Sequence, residues 1–77
     1  MVFQHISRDP DILGGKPCIK GTRISVQVLL EWLASGATRE EVLADYPQIS
    51  EAAFAEALLY AAQQAGGEIM VDIPIAA

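Results

Sequence analysis

The chain has 77 residues, of which 52% are hydrophobic, and its net charge is −5. A domain of this size holds one hydrophobic core and buries only about 60% of the surface of its unfolded chain. Its one cysteine, Cys18, excludes an internal disulfide, and Cys18 with the one histidine, His5, cannot supply the four ligands of a structural zinc site. We therefore expect stabilisation by a second subunit.

No part of the sequence reaches the roughly 18 consecutive apolar residues that span a bilayer, so we expect a soluble protein. The segment Met1–His5 has no basic flank followed by an apolar stretch, which indicates no secretory signal and favours the cytoplasm. Residues 1–25 carry four basic and two acidic residues, a balance of +2, whereas residues 26–77 carry one basic and eight acidic residues, a balance of −7. An anionic partner would therefore bind the N-terminal third.

We interpret the sequence as one domain, residues 1–77, in three zones, of which residues 1–25 are extended. The pair Gly21-Thr22 predicts a two-residue type II′ hairpin turn, because that turn requires Gly at its first central position. In this hairpin Ile19 lies opposite Ile24, and Lys20 lies opposite Arg23.

Residues 26–65 are predicted to form three helices, near 26–35, 39–46 and 51–65, so the fold class is mostly α with a short N-terminal β-hairpin. The residues that cap or end these helices are Ser25, Gly36, Thr38 with Glu41, Pro47, Ser50 and Gly66-Gly67. Apolar residues recur at helical spacing, and the predicted core consists of Val26, Leu29, Leu30, Leu33, Val42, Leu43, Phe54, Leu58 and Ala61.

Two helical faces are more apolar than a solitary domain requires. Val28 and Trp32 widen the apolar stripe of the first helix to about 200° of arc, against somewhat over 100° for an ordinary surface helix. The apolar residues of the third helix that lie away from its core stripe are Ala52, Ala53, Leu59 and Tyr60. We therefore expect a homodimer or another protein partner, with contacts at Val28, Trp32, Leu59 and Tyr60.

Residues 66–77 are predicted to form a strand-like tail. Ile69, Val71, Ile73 and Ile75 alternate onto one face, and Pro74 confines such a strand to the edge of a sheet. These four aliphatic residues either pair with another chain or fold back onto the hairpin of their own chain. Both interpretations stay open.

The sequence Gly14-Gly15-Lys16-Pro17 is not a phosphate-binding loop, because Pro17 stands where the hydroxyl residue is required; it indicates a tight turn. Lys16, Lys20 and Arg23 are candidate contacts to the phosphates of a nucleic acid, since like charges facing each other across a hairpin are otherwise unfavourable. The alternative is a solvated hairpin tip whose side chains point apart.

Catalysis is not expected. His5 and Cys18 could form a nucleophile–base pair, but the chain has no second histidine, and its serines and acidic residues have explanations as helix caps or solvent-exposed positions. We therefore assign no catalytic residue, cofactor, metal or small-molecule substrate.

Residues 38–65 have the outline of a helix-turn-helix, with a short helix, a turn and a longer helix. The groove-facing side of the third helix would offer Glu56, Tyr60, Gln63 and Gln64, and no Lys or Arg follows Arg39. Such a helix cannot bind DNA tightly by itself, so a dimer would have to present its basic hairpins.

The sequence resembles the bacterial family called domain of unknown function 433 over about residues 5–62. The resemblance lies in Ile12–Ile24, with its Gly-Lys-Pro and Lys-Gly-Thr-Arg-Ile elements, and in Leu33–Gly36, Glu40–Leu43 and Tyr46-Pro47. Members of the family are compared with VapB-type antitoxins, described as homeodomain-like helix-turn-helix proteins, and often encoded beside a PIN-like toxin.

The resemblance implies a small antitoxin that neutralises a PIN-like nuclease, with binding to its own promoter as a dimer as a second implied activity. Because the third helix is acidic, we rank binding to a protein partner above binding to DNA. The alternatives are a DNA-binding regulator without a toxin partner and a stand-alone structural homodimer.

Overall fold

The computed structural model describes residues 3–68. Three helices follow a pair of very short strands, as the sequence predicts for a mostly α fold with a small N-terminal β-element. The elements are β1 (Ile6–Ser7), β2 (Cys18–Ile19), α1 (Val26–Ala34), α2 (Arg39–Asp45) and α3 (Glu51–Glu68), with a 3₁₀ turn at Leu13–Gly15.

The strands β1 and β2 pair in antiparallel fashion, with Ile6 opposite Ile19. On the other side of β2, Cys18 forms a bridge with Ser25, and the Ile19 amide donates to the carbonyl of Ile24 at 2.9 Å. The predicted pairing of Ile19 with Ile24 is therefore confirmed. This pairing places the start of α1 directly beside β2.

The predicted turn at Gly21-Thr22 is wrong by one residue. The Thr22 amide donates to the carbonyl of Ile19 at 3.0 Å, so Lys20 and Gly21 are the central residues, and the φ of +81° at Gly21 fits the second central position of a type II turn. The Thr22 hydroxyl donates to the same carbonyl at 2.8 Å and accepts from the Ile24 amide at 3.0 Å. These side-chain bonds stabilise the longer loop, and Lys20 is a turn residue instead of a strand partner of Arg23.

The predicted helix caps are confirmed. The hydroxyls of Ser25, Thr38 and Ser50 each accept a backbone N–H at 3.0–3.1 Å, and the Glu41 carboxylate completes a capping box by accepting from the Thr38 amide at 2.9 Å. After α1, Gly36 has a φ of +107°, which turns the chain back over the end of the helix. The amides of Gly36 and Ala37 then donate to the carbonyls of Leu33 and Trp32, respectively.

The predicted end of α3 at Gly66-Gly67 is wrong, because the helix continues through both glycines to Glu68. A glycine costs a helix about 1 kcal/mol relative to alanine, which an established helix of 18 residues tolerates. The predicted tail contacts at Ile69, Val71, Ile73 and Ile75 lie outside the described residues.

The core forms where α1, α2 and α3 meet β2. Its buried hydrophobic residues are Cys18, Ile19, Val26, Leu29, Val42, Ile49, Ala53, Phe54 and Ala57. Of the predicted core, Val26, Leu29, Val42 and Phe54 are buried, and Leu33, Leu43, Leu58 and Ala61 are half-buried against the same cluster.

Two predictions about burial are wrong. Leu30, predicted in the core, is 39% exposed, and Ala53, predicted on the outer side of the third helix, is buried. Both errors have one cause: α3 turns its alanine-rich side towards the rest of the fold, and Ala57 is completely buried there. Short side chains allow close approach at Ala53 and Ala57 but leave open space farther along the helix.

Candidate binding surfaces

An open apolar groove of about 390 Å³ lies between the segment before α1, α1 itself and the C-terminal half of α3. The residues that line it are Lys16, Pro17, Val26, Gln27, Leu30, Tyr60, Ala61, Gln64 and Ala65. A concave, mostly apolar surface with a few polar groups is typical of a binding site. We call this surface the α1–α3 groove.

The depth of the α1–α3 groove follows from the side chains on its two walls. Leu30 of α1 borders the groove, and α3 contributes the short side chains of Ala61 and Ala65. Because neither alanine can reach across to cover Leu30, that leucine stays 39% exposed. The groove therefore offers a large aliphatic side chain that nothing in residues 3–68 covers.

The wall and rim of the groove are held by contacts within the chain. The ring of Tyr60 meets the ring of Phe3 edge-on, with 5.1 Å between centroids and an interplanar angle of 76°. At the rim, Nζ of Lys16 donates to Oε1 of Gln27 at 3.2 Å. A partner would thus meet a largely preformed surface with one positive charge at its edge.

The predicted nucleic-acid contacts, Lys16, Lys20 and Arg23, are all exposed. The Lys20 amide donates to the carbonyl of His5 at 2.8 Å, which fixes the base of the turn. The Thr22 hydroxyl donates to the carbonyl of Ile19 and accepts from the amide of Ile24. These two bonds also fix the backbone that carries Arg23. Their positions permit contact with an anionic surface.

His5 and Cys18, for which we expect no catalytic role, have separate partners in the fold. The Glu56 carboxylate accepts the His5 backbone amide at 3.2 Å and lies 3.8 Å from Nε2 of that histidine. The buried Cys18 thiol donates to the carbonyl of Lys16 at 3.3 Å, and burial raises the pKa of that thiol above its ordinary value, against the smaller opposing effect of the Lys16 charge. A thiol in this state is a poor nucleophile at neutral pH.

Within residues 3–68, no group of three or more His, Cys, Asp and Glu side chains could hold a metal ion. In the same part of the chain, none of the helices combines the length and apolar composition needed to span a lipid bilayer.

The predicted partner-contact residues within the described chain differ in exposure. Val28, Trp32 and Tyr60 are half-buried, whereas Leu59 is 41% exposed. Trp32 is stacked on Tyr46 of the same chain, with 4.5 Å between ring centroids. Part of the wide apolar face of α1 is therefore covered within the monomer by Tyr46, the residue that follows α2.

Pro17, Gln64 and Ala65 were not predicted from the sequence to be parts of a common surface. The spacing of Ala61 and Ala65 by four residues could have indicated it, because two alanines on one side of a helix leave space beneath a facing leucine. That inference needs the pairing of α1 with α3, which a single sequence does not show.

The model of the family DUF433, described as a protein of unknown function, matches residues 6–61. No match was found among curated proteins. Among solved structures, the chain is similar to the crystal structure of a DUF433 member protein from Anabaena variabilis ATCC 29413, with 33% sequence identity and a TM-score of 0.77. The alignment covers 79% of this chain and 60% of that chain, so this chain spans less than two thirds of that relative.

Proposed function

This chain belongs to the DUF433 family of proteins of unknown function, and we propose that it is a small antitoxin-like protein that binds and neutralises a PIN-like nuclease. The observation that carries this proposal is the α1–α3 groove. An amphipathic segment of the nuclease lies in this groove and covers Leu30 with its own apolar residues.

The groove supports a partner of this kind in two ways. Its volume of about 390 Å³ accommodates several aliphatic side chains of a protein segment. Its walls consist of the side chains of Leu30, Tyr60 and the α3 alanines, and a surface of this composition gains free energy by leaving water at roughly 25 cal/mol per Å². Binding rather than catalysis is the role we assign, since His5 and Cys18 are engaged in separate contacts.

The test is to search beside its gene for a PIN-like nuclease and to co-express the two proteins. We expect a complex that survives size-exclusion chromatography, and loss of nuclease activity when the protein is added to the purified nuclease. If no complex forms and nuclease activity is unchanged, the antitoxin function is wrong and the DNA-binding regulator becomes the leading alternative.

We further propose that the protein is a homodimer through the outer side of α3, where Leu59 is 41% exposed. Three exposed alanines lie on the same side of this helix as Leu59. The order along the helix is Ala52, Ala55, Leu59 and Ala62, with spacings of three, four and three residues. Sedimentation velocity at micromolar concentration should show a species of twice the 8.3 kDa chain. Only monomer at that concentration would contradict the dimer.

A second candidate function is promoter binding by this dimer. It is favoured by the exposure of Lys16, Lys20 and Arg23, which lie in the part of the chain with a positive charge balance. The third helix does not favour promoter binding, because two of its residues expected to face a DNA groove have partners within the chain. Glu56 contacts His5, and the ring of Tyr60 contacts the ring of Phe3. DNA would therefore meet the N-terminal loops and not the third helix.

Replacing Lys16, Lys20 and Arg23 together by Ala should flatten the dependence of log affinity for promoter DNA on log salt. Each phosphate contact that is lost reduces the slope by about 0.9. The measurement is a fluorescence anisotropy titration at several salt concentrations, with Arg39→Ala as a control, because that side chain lies over the Phe54 ring. An unchanged slope in the triple variant would place the DNA contact elsewhere.

A further inference from the structure

A second, smaller pocket of about 160 Å³ lies where the end of α1 meets α2. Its lining residues are Trp32, Ala37, Glu41, Val42, Asp45 and Tyr46, and none of them lines the α1–α3 groove. We call it the Trp32 pocket. It brings together two aromatic rings and two carboxylates, and this combination of chemical groups is not used by the function proposed above.

The aromatic part of the Trp32 pocket is fixed by stacking. The rings of Trp32 and Tyr46 are nearly parallel, with an interplanar angle of 11° and 4.5 Å between centroids. The facing sides of the two rings cover each other, and both residues are only half-buried, so the part of each ring that stays exposed lies outside the stack. The face of a tryptophan or tyrosine ring attracts a cation, with tryptophan the stronger of the two.

The carboxylates of the pocket come from one side of α2. Glu41 and Asp45 are four residues apart, which places them one above the other on the helix surface. Hydrogen bonds from the amide and hydroxyl group of Thr38 lower the pKa of the Glu41 carboxyl group, so this group is ionised at neutral pH. Asp45 is exposed, and its carboxylate forms no hydrogen bond or ion pair with any residue of the described range 3–68.

Among the described residues that line the pocket, none is a lysine or an arginine that could compensate these charges. Arg39 is the one basic residue in 26–77, and its guanidinium group lies 5.5 Å from the centroid of the Phe54 ring. The pocket therefore has a negative rim around an aromatic wall, in the acidic part of the chain. This charge pattern is complementary to a cation that can also lie flat against a ring.

We propose that the Trp32 pocket binds an arginine side chain of a protein partner. A guanidinium group is planar, so it stacks on an aromatic face while its N–H groups point outwards to carboxylates at the edge. A lysine ammonium group lacks the flat face and is more strongly hydrated, so it gains less in this pocket. The site is separate from the α1–α3 groove and does not depend on the function proposed for it.

The test uses a capped tripeptide Gly-Arg-Gly and the intact protein. Trp32 is the one tryptophan of the chain, so its indole N–H gives a single, assigned signal in a nitrogen–proton NMR spectrum. We expect a saturable shift of this signal with the arginine peptide, no shift with the matching citrulline peptide, and weaker binding of the lysine peptide. A citrulline peptide that shifts the signal equally, or a lysine peptide that binds as tightly as arginine, would overturn the proposal.

A pair of matched variants locates the site. Asp45→Asn removes a carboxylate that lines the pocket, whereas Glu40→Gln removes an exposed carboxylate of the same helix that does not line it. We expect Asp45→Asn to weaken binding of the arginine peptide about fourfold and Glu40→Gln to leave it nearly unchanged. Equal effects of the two variants would show that the peptide responds only to net charge, which would contradict a defined site.

Discussion

Replacing Leu29 by Ala should lower the free energy of unfolding by about 2–5 kcal/mol, the cost of deleting a fully buried leucine side chain. Leu29 is 1% exposed and, with Phe54, one of the largest fully buried side chains in the described part of the chain. Natural domains have a total stability of about 5–15 kcal/mol, and one as small as this is expected near the lower end. The substitution therefore removes a large fraction of the stability.

Leu30→Ala is the matched control, since it makes the same chemical change at the next residue of the same helix. Leu30 is 39% exposed, and we expect its loss to cost less than about 1 kcal/mol. Urea unfolding, monitored by far-ultraviolet circular dichroism, measures the free energy of unfolding of both variants. An unchanged slope of this free energy against urea concentration checks that unfolding stays two-state. Equal losses for the two variants, or a larger loss for Leu30→Ala, would show that the core is assigned incorrectly.

The sequence predicts the helix boundaries well because they depend on local chemistry. Ser25, Thr38 and Ser50 carry side-chain acceptors at the positions where helices need them, and Gly36 adopts the positive φ that ends α1. These interactions span three or four residues and do not depend on the rest of the fold. The end of α3 was missed because Gly66 weakens a helix without preventing it.

The core and the turn are less predictable, because both depend on contacts between distant residues. Periodicity places Leu29 and Leu30 in the same wide apolar stripe of α1, about 100° apart around the helix axis, and the position of α3 decides that one is buried and the other exposed. In the same way, the loop after β2 is set by the Thr22 hydroxyl, which bonds to Ile19 and Ile24, and not by the glycine preference alone.

The candidate site was predictable only where charge determines it. Lys16, Lys20 and Arg23 are exposed as expected for basic residues near turns. The α1–α3 groove is formed by residues from three separate segments, and the Trp32 pocket depends on the stacking of Trp32 with Tyr46. A single sequence gives no direct information on which segments meet, so neither concave surface could be predicted from it.

Replacing Leu30 by Glu should weaken binding of the proposed PIN-like partner about a hundredfold. The change removes an aliphatic side chain whose burial is worth about 1.5–3 kcal/mol and places a charge where the partner would cover it. Since every 1.4 kcal/mol corresponds to about a factor of ten in affinity, the two effects together account for this loss. Glu is a good helix former, and Leu30 is exposed in the free protein, so the variant should fold normally.

Leu13→Glu is the control, because Leu13 is 45% exposed, close to the 39% of Leu30, but lines neither the α1–α3 groove nor the side of α3 proposed for the dimer. The most direct measurement is a calorimetric titration of the purified PIN-like partner with the natural protein and with each variant. We predict that Leu30→Glu loses about a hundredfold in affinity while Leu13→Glu binds within about threefold of the natural protein. Full affinity of Leu30→Glu, with or without loss in Leu13→Glu, would contradict the α1–α3 groove as the partner-binding surface.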